Sequence, residues 1–266
     1  MMQSHMSLRT VNATRYVTPL REGGSLPAIV EADDDGLYVL KFSGAGQGTK
    51  ALIAELVAGE LGRALGLPVP EIVFVQLDPV LGRTEPDPEI QDLIKASAGL
   101  NLALDYLPGS ITFDPLIQQP DSKLASHVVW FDAYTTNVDR TLRNTNILVW
   151  HRKLWLIDHG AALYFHHAWE ADYLERSRKP FMKINEHVLL PFANEIAEAD
   201  EELSARLTPE VIKGIVELIP DAWLGDEPRF SNTGEHRAAY TEYLLRRLSW
   251  PRAFVEEAIR ARTLYI

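Results

Sequence analysis

The chain has 266 residues, of which 46% are hydrophobic, so it can bury a substantial core as one large domain or as two lobes. Its 26 Lys and Arg residues against 37 Asp and Glu residues give a net charge of −11, which disfavours nucleic acid and anionic membranes as main partners. It contains no cysteine, which excludes disulfides, thiol nucleophiles and thiolate metal sites and fits a reducing cytoplasm.

The first hundred residues are predicted to form strands around one helix. Residues 20–30 predict a Gly-containing turn that runs into an apolar strand, residues 36–42 predict a second strand, and the turn DDDG between the strands predicts a hairpin. Helical periodicity follows the segment SGAGQGT and ends at Gly66, with Pro68 just beyond. Residues 71–77 predict another strand, and RTEPDPEIQ predicts a polar loop.

A Pro-Gly turn in NLALDYLPGS is the predicted boundary between an N-terminal lobe, residues 1–107, and a C-terminal lobe, residues 108–266. In the second lobe DSKLASHVVWFDAYTTN predicts a buried helix, and NILVW and LWLI around HRK predict a hairpin. The rest is predicted to be mostly helical. No apolar run approaches the roughly 18 residues that a membrane helix needs, so no membrane association is expected.

Polar side chains are predicted to converge at the open end of the second hairpin. If NILVW and LWLI pair as antiparallel strands, Asp158 lies beside Asn144 and Asn146. Asp139 stands five residues before Asn144, on a loop long enough to fold back to the same point. Carboxylate and amide oxygens suit Mg²⁺, and Mg²⁺ suggests a polyphosphate substrate.

Two charged residues of the N-terminal lobe are predicted to pair. Lys41 ends a strand face that is otherwise apolar, and Glu55 projects from a helix face of small and apolar residues. A carboxylate on a packed face is costly unless it is paired, and Lys41 is the nearest candidate cation. By contrast Glu60, with Arg63 on the next turn, is predicted to lie on the surface.

Four stretches, in this order, resemble the HipA-like kinases, in the small branch that lacks the longer N-terminal region: KFSGAGQGTKALIAEL, GRALGLPVPE, NVDRTLRNTNIL and LIDHGAALYF. The order of strand Lys, helix Glu, D-x-x-x-x-N, hairpin and Asp is that of kinase folds. The likeness covers residues 20–165 well and the helical remainder loosely. It implies an α+β, two-lobed, protein-kinase-like (HipA/PI-kinase-like) fold, with a β-rich N-lobe and a mostly helical C-lobe.

The resemblance also implies residue roles. Asp139 would be the catalytic residue that orients the acceptor hydroxyl and takes its proton, and Lys41, held by Glu55, would contact the nucleotide phosphates. Asn144 and Asp158 would hold Mg²⁺. The phosphate loop and the hinge that meets adenine would add contacts from Gly23, Gly24, Ser25, Asp105, Tyr106 and Leu107.

Two assignments stay open. The tripeptide NIL begins at Asn146, seven residues after Asp139, so Asn146 competes with Asn144, which has the kinase spacing. REGGSLP lies ahead of Lys41, where a kinase places its phosphate loop, while SGAGQGT opens a helix whose N-terminus attracts anions. No A-P-E element follows IDHG, which argues against an ordinary eukaryotic-type protein kinase.

The predicted function is that of an ATP- and Mg²⁺-dependent kinase acting on a protein Ser or Thr or on another hydroxyl, with an antitoxin or regulatory protein as a candidate partner. A catalytically silent nucleotide-binding module is one alternative, and nucleotidyl transfer stays open. A metal-dependent hydrolase built on Asp158, His159, His166 and His167 is another. However, His166 and His167 lack a defined metal-ligand spacing, which favours a structural or substrate-facing role for them.

Overall fold

Five strands near the N-terminus close into a small barrel. The computed structural model describes residues 7–20, 26–46, 48–225 and 227–265. The barrel order is β1-β2-β3-β5-β4, with β1 at Thr10–Pro19, β2 at Ala28–Ala32, β3 at Leu37–Lys41, β4 at Ile72–Leu77 and β5 at Gly99–Asp105. The predicted hairpin is confirmed, because β2 and β3 pair antiparallel. β1 is not among the predicted strands, and it pairs antiparallel with β2 and parallel with β4.

Two helices accompany the barrel, one more than predicted. α1 spans Gly48–Ala64 and ends before Gly66, whose φ of +79° is the left-handed conformation expected at a helix end. The loop prediction for RTEPDPEIQ is wrong, because α2 begins inside it and spans Pro88–Ala96. The Asp87 side chain accepts a hydrogen bond from the Glu89 amide, and Pro88 occupies the first turn, which together start the helix.

The C-terminal part combines a three-stranded sheet with six helices in the region that the structure describes. The sheet order is β6-β7-β8, with β6 at Ile111–Thr112, β7 at Ile147–Trp150 and β8 at Lys153–Leu156. β7 and β8 form the predicted hairpin. The helices are α3 at Ser122–Thr135, α4 at Tyr173–Arg176, α5 at Ile196–Arg206, α6 at Pro209–Val216, α7 at Thr233–Leu248 and α8 at Ala253–Thr263.

α1 lies between the barrel and the helical part and belongs to the core of the latter. A Cβ at Gly59 would lie 2.4 Å from Ile72 Cδ1, and one at Gly62 would lie 3.4 Å from Phe131 Cζ, so the two glycines let β4 and α3 approach the helix closely. The surface prediction for Glu60 is therefore wrong. Glu60 is buried and pairs with Arg63 at 3.1 Å, because α1 is covered on nearly all sides.

Three predicted phosphate-loop residues, Gly23, Gly24 and Ser25, lie outside the described residues. Among the residues that are described, no helix is long and apolar enough to span a membrane.

Candidate active site

Lys41 connects the barrel to the C-terminal sheet. It is the last residue of β3, and its Nζ lies 2.6 Å from Asp158 Oδ1 and 3.5 Å from Glu55 Oε2. Glu55 belongs to α1, and Asp158 follows β8 after one intervening residue. One ammonium group therefore faces two carboxylates that come from distant parts of the chain.

Glu55 is a buried carboxylate that stays ionised. Its side chain is 1% exposed, and His159 Nδ1 lies 3.3 Å from its second carboxylate oxygen, Oε1. Burial favours the neutral carboxyl, but Lys41 and His159 outweigh it and lower the pKa of Glu55 to about 2. Burial likewise opposes the charge on Lys41, yet Glu55 and Asp158 raise its pKa above the ordinary value. Both partners consequently remain charged at neutral pH.

Asp139 lies on the segment between α3 and β7, where two asparagine side chains hold its carboxylate. Asn144 Nδ2 donates to Asp139 Oδ2 at 2.8 Å, and Asn146 Nδ2 donates to the same oxygen at 3.3 Å. The Asp139 amide donates to Asn137 Oδ1 at 3.1 Å, which fixes the backbone. Among the described contacts Oδ1 of Asp139 is the carboxylate oxygen left for a further partner.

At the open end of the hairpin, Asn146 lies next to Ile157, the residue before Asp158. The Ile157 amide donates to the Asn146 carbonyl at 3.0 Å, which continues the β7–β8 pairing by one step. Asn146 and Asp158 both have positive φ, +48° and +53°, so the backbone turns sharply at each. Asn144 is exposed and Asn146 is buried, and both direct Nδ2 at Asp139, which leaves each amide oxygen for another ligand.

A buried carboxylate on α3 organises the segment that carries Asp139. Asp132 is fully buried and accepts hydrogen bonds from Asn137 Nδ2 at 3.0 Å and from Arg140 Nε at 2.6 Å. Arg140 in turn donates to the carbonyls of Asn146 and Ile157. Asp132 therefore fixes Asn137 and Arg140, which lie on either side of Asp139. Arg140 extends this network to the residues that flank β7 and β8 at the open end of the hairpin.

His187 supplies a further donor to Asp132 and has one defined tautomer. The Leu189 amide donates to His187 Nδ1 at 3.0 Å, so the ring proton is on Nε2, which donates to Asp132 Oδ2 at 2.8 Å. Burial lowers the pKa of His187, which favours this neutral form. Burial also opposes the charge on Asp132, but Arg140 and His187 hold its pKa well below the ordinary value.

Asp132 and His187 are two of the supporting residues that the sequence analysis does not single out. A usable signal exists for Asp132, because Val128 and Val129 lie one turn before it and the surrounding helix is apolar. The reasoning that selects Glu55, a carboxylate on a packed helix face, selects Asp132 equally well. His187 has no such signal, because it lies in an irregular segment outside any periodic element.

The predicted hinge residues begin at Asp105, the last residue of β5, and continue beyond the strand. The amides of Asp105 and Tyr106 donate to the carbonyls of Glu71 and Leu37, at 2.8 and 2.9 Å. Leu107 is buried. Unlike the other two amides, its amide has no hydrogen-bond acceptor among the described residues. Leu107 is therefore the hinge residue whose amide is free to meet a ligand.

Of the two glycine-rich candidates for the phosphate loop, SGAGQGT can be described except at Gln47. The amides of Ser43 and Gly44 donate to Asn101 Oδ1 and Ser97 Oγ, at 2.8 and 3.0 Å, which ties the loop to β5 and the end of α2. A Cβ at Gly160 would lie 3.7 Å from the Ala51 carbonyl, so the first turns of α1 adjoin the IDHG segment. The start of α1 therefore lies beside Asp158.

The oxygen donors near Asp158 fit Mg²⁺ that arrives with a polyphosphate. Within the described residues, no three His, Asp or Glu side chains are grouped to hold a metal ion by themselves. The site offers instead one carboxylate and the amide oxygens of Asn144 and Asn146. Mg²⁺ commonly binds one or two carboxylates, retains waters and takes further ligands from phosphate groups, which matches this sparse donor set.

The histidines of the hydrolase alternative lie in a packed region. His166 is buried, its Nδ1 lies 3.0 Å from the Tyr240 hydroxyl, and burial lowers its pKa well below the ordinary value. The His167 ring lies 4.7 Å from the His166 ring, edge to face. These contacts agree with a packing role.

Comparisons with known proteins give a family and a fold. A family profile described as HipA-like kinase matches residues 14–255. The crystal structure of a Helicobacter pylori proinflammatory kinase, CtkA, matches with a TM-score of 0.58 and 14% identity, covering 96% of this chain and 99% of that chain. This similarity confirms the two-lobed kinase-like fold with a β-rich N-lobe. No curated protein sequence matches the chain.

Two structures of the Golgi casein kinase are more distant. One matches with a TM-score of 0.45 and 12% identity, covering 94% of this chain and 73% of that chain. The other, with Mn/ADP bound, matches with a TM-score of 0.46 and 11% identity, covering 96% of this chain and 74% of that chain.

Asp132→Asn should destabilise the protein strongly, because it leaves the buried guanidinium of Arg140 without a counter-charge. We expect the free energy of unfolding at pH 7 to fall by about 3–5 kcal/mol, measured by urea denaturation. The control is Asp92→Asn, which breaks an exposed pair with Lys95 and should cost less than about 1 kcal/mol. Equal losses in the two variants would show that Asp132 is no more than an ordinary surface carboxylate.

Glu55→Gln should flatten the acid limb of the stability curve. The folded-state pKa of Glu55 is depressed from 4.5 to about 2, so its carboxylate adds stability above about pH 4.5 that is lost as the pH falls toward 2. We expect the difference in unfolding free energy between wild type and variant to shrink across this window, measured by denaturant titration at each pH. Glu198→Gln, at an exposed position of α5, serves as control, and a difference that stays constant with pH contradicts the assignment.

Proposed function

The chain belongs to the HipA-like kinase family, and from this premise we propose that it transfers the γ-phosphoryl group of ATP, with Mg²⁺, to a Ser or Thr hydroxyl of a polypeptide acceptor. Family and fold support a kinase-type phosphotransferase. The nucleotide, the metal and the acceptor are inferred from the site.

The observation that carries the proposal is the 2.6 Å contact between Lys41 Nζ and Asp158 Oδ1. It supports the proposal because the cation proposed to bind phosphate and the carboxylate proposed to bind the metal are in contact, between the proposed lobes of residues 1–107 and 108–266. Asp139 is attached to this point through Asn146, which donates to its carboxylate and accepts from Ile157. Phosphoryl transfer needs little else from a protein, since it depends mainly on positioning and charge neutralisation.

In the proposed step the acceptor hydroxyl oxygen bonds to the γ-phosphorus while the bond from that phosphorus to the β,γ-bridging oxygen breaks, which releases ADP. Asp139 orients the hydroxyl and accepts its proton at Oδ1, because Oδ2 already receives the amides of Asn144 and Asn146. The Asn137 contact to the Asp139 amide keeps the carboxylate in place during the transfer.

Lys41 and Asp158 act on the phosphate side of the site. Lys41 exchanges part of its contact with Asp158 for phosphate oxygens, while Glu55 keeps the ammonium in position from the opposite side. Bound Mg²⁺ would neutralise charge on the phosphate oxygens, and Asp158 with Asn144 or Asn146 would hold it. The free amide of Leu107 is the proposed contact to adenine, beyond Asp105 and Tyr106.

Asp139→Ala should abolish transfer, because the substitution removes the proposed proton acceptor. Nucleotide binding should stay intact, because every proposed phosphate contact remains. We expect the transfer rate to fall by at least about 100-fold, measured by mass spectrometry of phosphorylated product. ATP affinity, followed by thermal shift, should change little. Asp92→Ala, at an exposed position of α2, is the control. Undiminished transfer by Asp139→Ala would overturn the proposal, and ATP binding without transfer in the wild type would favour the silent module.

Asp158→Asn should weaken nucleotide binding only when Mg²⁺ is present, because it removes the one carboxylate of the proposed metal site. We expect the Kd of ATP to rise about tenfold or more with Mg²⁺, while wild type and variant bind alike in EDTA. Calorimetric titrations of both proteins measure this. The same titrations with Asn144→Ala and Asn146→Ala distinguish the two candidate amide ligands, and an unchanged Mg²⁺ dependence in Asp158→Asn excludes Asp158 as a ligand.

A further inference from the structure

A cavity of about 140 Å³ lies beside the segment that carries Asp139. The end of α3, the segment after IDHG, the α4 region and α7 surround it. Its lining includes three cations and three hydroxyl-bearing side chains: Arg176, Lys179, Arg247, Thr136, Tyr164 and Tyr243. For a chain with a net charge of −11 this is an unusual concentration of positive charge.

Arg247 is the buried cation of this cavity. It is 2% exposed, and no carboxylate lies within 4 Å of its guanidinium in the part of the chain that the structure describes. Burial lowers its pKa, as expected for a charge removed from water. Its neighbours are backbone carbonyls and the ring of Phe254, 4.9 Å away. A buried charge without a counter-charge is costly, so the cavity favours an anion.

The hydrogen bonds of Arg247 leave room for such a ligand. Nε donates to the Tyr134 carbonyl, Nη1 to the carbonyls of Ser177 and Lys179, and Nη2 to the carbonyl of Ala133, at 2.8 to 3.2 Å. A guanidinium has five N–H groups, so one on Nη2 has no partner among the described contacts. The four carbonyl bonds hold the group rigidly while its charge stays uncompensated.

Two more accessible cations complete the lining. Arg176 is about one quarter exposed, and its acidic neighbour among the described residues, Glu170, lies 3.5 Å away and is largely exposed. Lys179 is exposed and has no ion-pair partner in the described part of the chain. Both side chains can therefore turn toward an anion that enters the cavity.

The cavity is close to the proposed acceptor position. Thr136 precedes Asp139 by three residues, so their Cα atoms are at most about 11 Å apart. The Tyr164 amide donates to Thr136 Oγ1 at 3.1 Å, and the Leu163 amide donates to the Thr135 carbonyl at 2.7 Å. The segments that carry Asp139 and Asp158 thus frame one side of the cavity.

We propose that this cavity binds an anionic side chain, a carboxylate or a phosphate, of an acceptor polypeptide, within about three residues of the hydroxyl that is phosphorylated. An extended peptide advances about 3.3 Å per residue, so three residues span the distance between Asp139 and the cavity. Arg176 and Lys179 attract the anion at the mouth, and Arg247 meets it inside. This inference rests on the proposed kinase function, and it adds the selectivity for the acceptor.

The test compares matched peptides that contain one Ser and, at positions one to three residues from it, Glu, phosphoserine or Gln. We expect kcat/KM with wild type to be about tenfold higher for the anionic peptides than for the Gln peptides. In the double variant Arg176→Gln/Lys179→Gln the preference for the anionic peptides should vanish, because the two cations at the mouth of the cavity are removed. Whichever anion is preferred, Glu or phosphoserine, identifies the source of the charge.

Arg178→Gln is the matched control, because Arg178 adjoins Lys179, is exposed and lies outside the cavity lining. It should keep the wild-type preference. Equal kcat/KM for anionic and Gln peptides in wild type, or a preference that survives the double variant, overturns the proposal. Thermal shift of each variant establishes that the fold is kept.

A binding assay without nucleotide separates this proposal from the kinase function. Fluorescence anisotropy of labelled peptides on the full chain should show tighter binding of the anionic peptides, lost in the double variant. Selective binding without phosphoryl transfer would leave the cavity assignment standing and refute the kinase function. Phosphoryl transfer to anionic and Gln peptides at equal rates would refute the cavity assignment and leave the kinase function standing.

Discussion

The site depends on one ammonium group, largely shielded from solvent, that two carboxylates share. Lys41 lies between Glu55 and Asp158, so the barrel, α1 and the C-terminal hairpin meet at a single cation. The balance of charge is uneven, because one positive charge faces two negative ones, and Asp139 adds a third carboxylate that is bonded to the hairpin end through Asn146. Excess negative charge at a partly buried point is costly unless a further cation joins it. The divalent cation of the proposed function would supply positive charge at this point.

A second buried carboxylate explains how an irregular segment holds such a site. Residues 137–146 are nearly without regular secondary structure, yet Asp132 fixes Asn137 and Arg140, and Arg140 fixes the hairpin end. The full burial of both charges means that neither can be removed alone at low cost. The polar segment between two apolar elements thus has an internal partner on α3, and Asp139 is presented from a rigid support.

Hydrophobic patterns predicted much of the fold and the pairing of Lys41 with Glu55, and the wrong or missing predictions have physical reasons. β1 was not predicted because a strand with mostly exposed residues shows little alternation of apolar and polar residues. α2 was not predicted because its Pro and Asp residues suggest a loop, although the same residues also start helices. Glu60 was misplaced because a helix buried on nearly all sides offers no surface face. Glu55 could be found from the same helix because its neighbours are small and apolar. His187 depends on tertiary contacts that no local pattern encodes.

The distribution of positive charge connects the proposed chemistry with the proposed selectivity. An acidic protein repels anions at long range, so an anionic substrate must be bound by cations placed at short range. Lys41 is the cation proposed to act on the nucleotide, and Glu55 and Asp158 compensate its charge. Arg247 is the buried cation proposed to act on the acceptor, and it has carbonyls and no carboxylate around it in the described chain. A kinase with this arrangement gains from a substrate that supplies the missing charge, because the acceptor hydroxyl is then positioned by the same contact that neutralises the arginine.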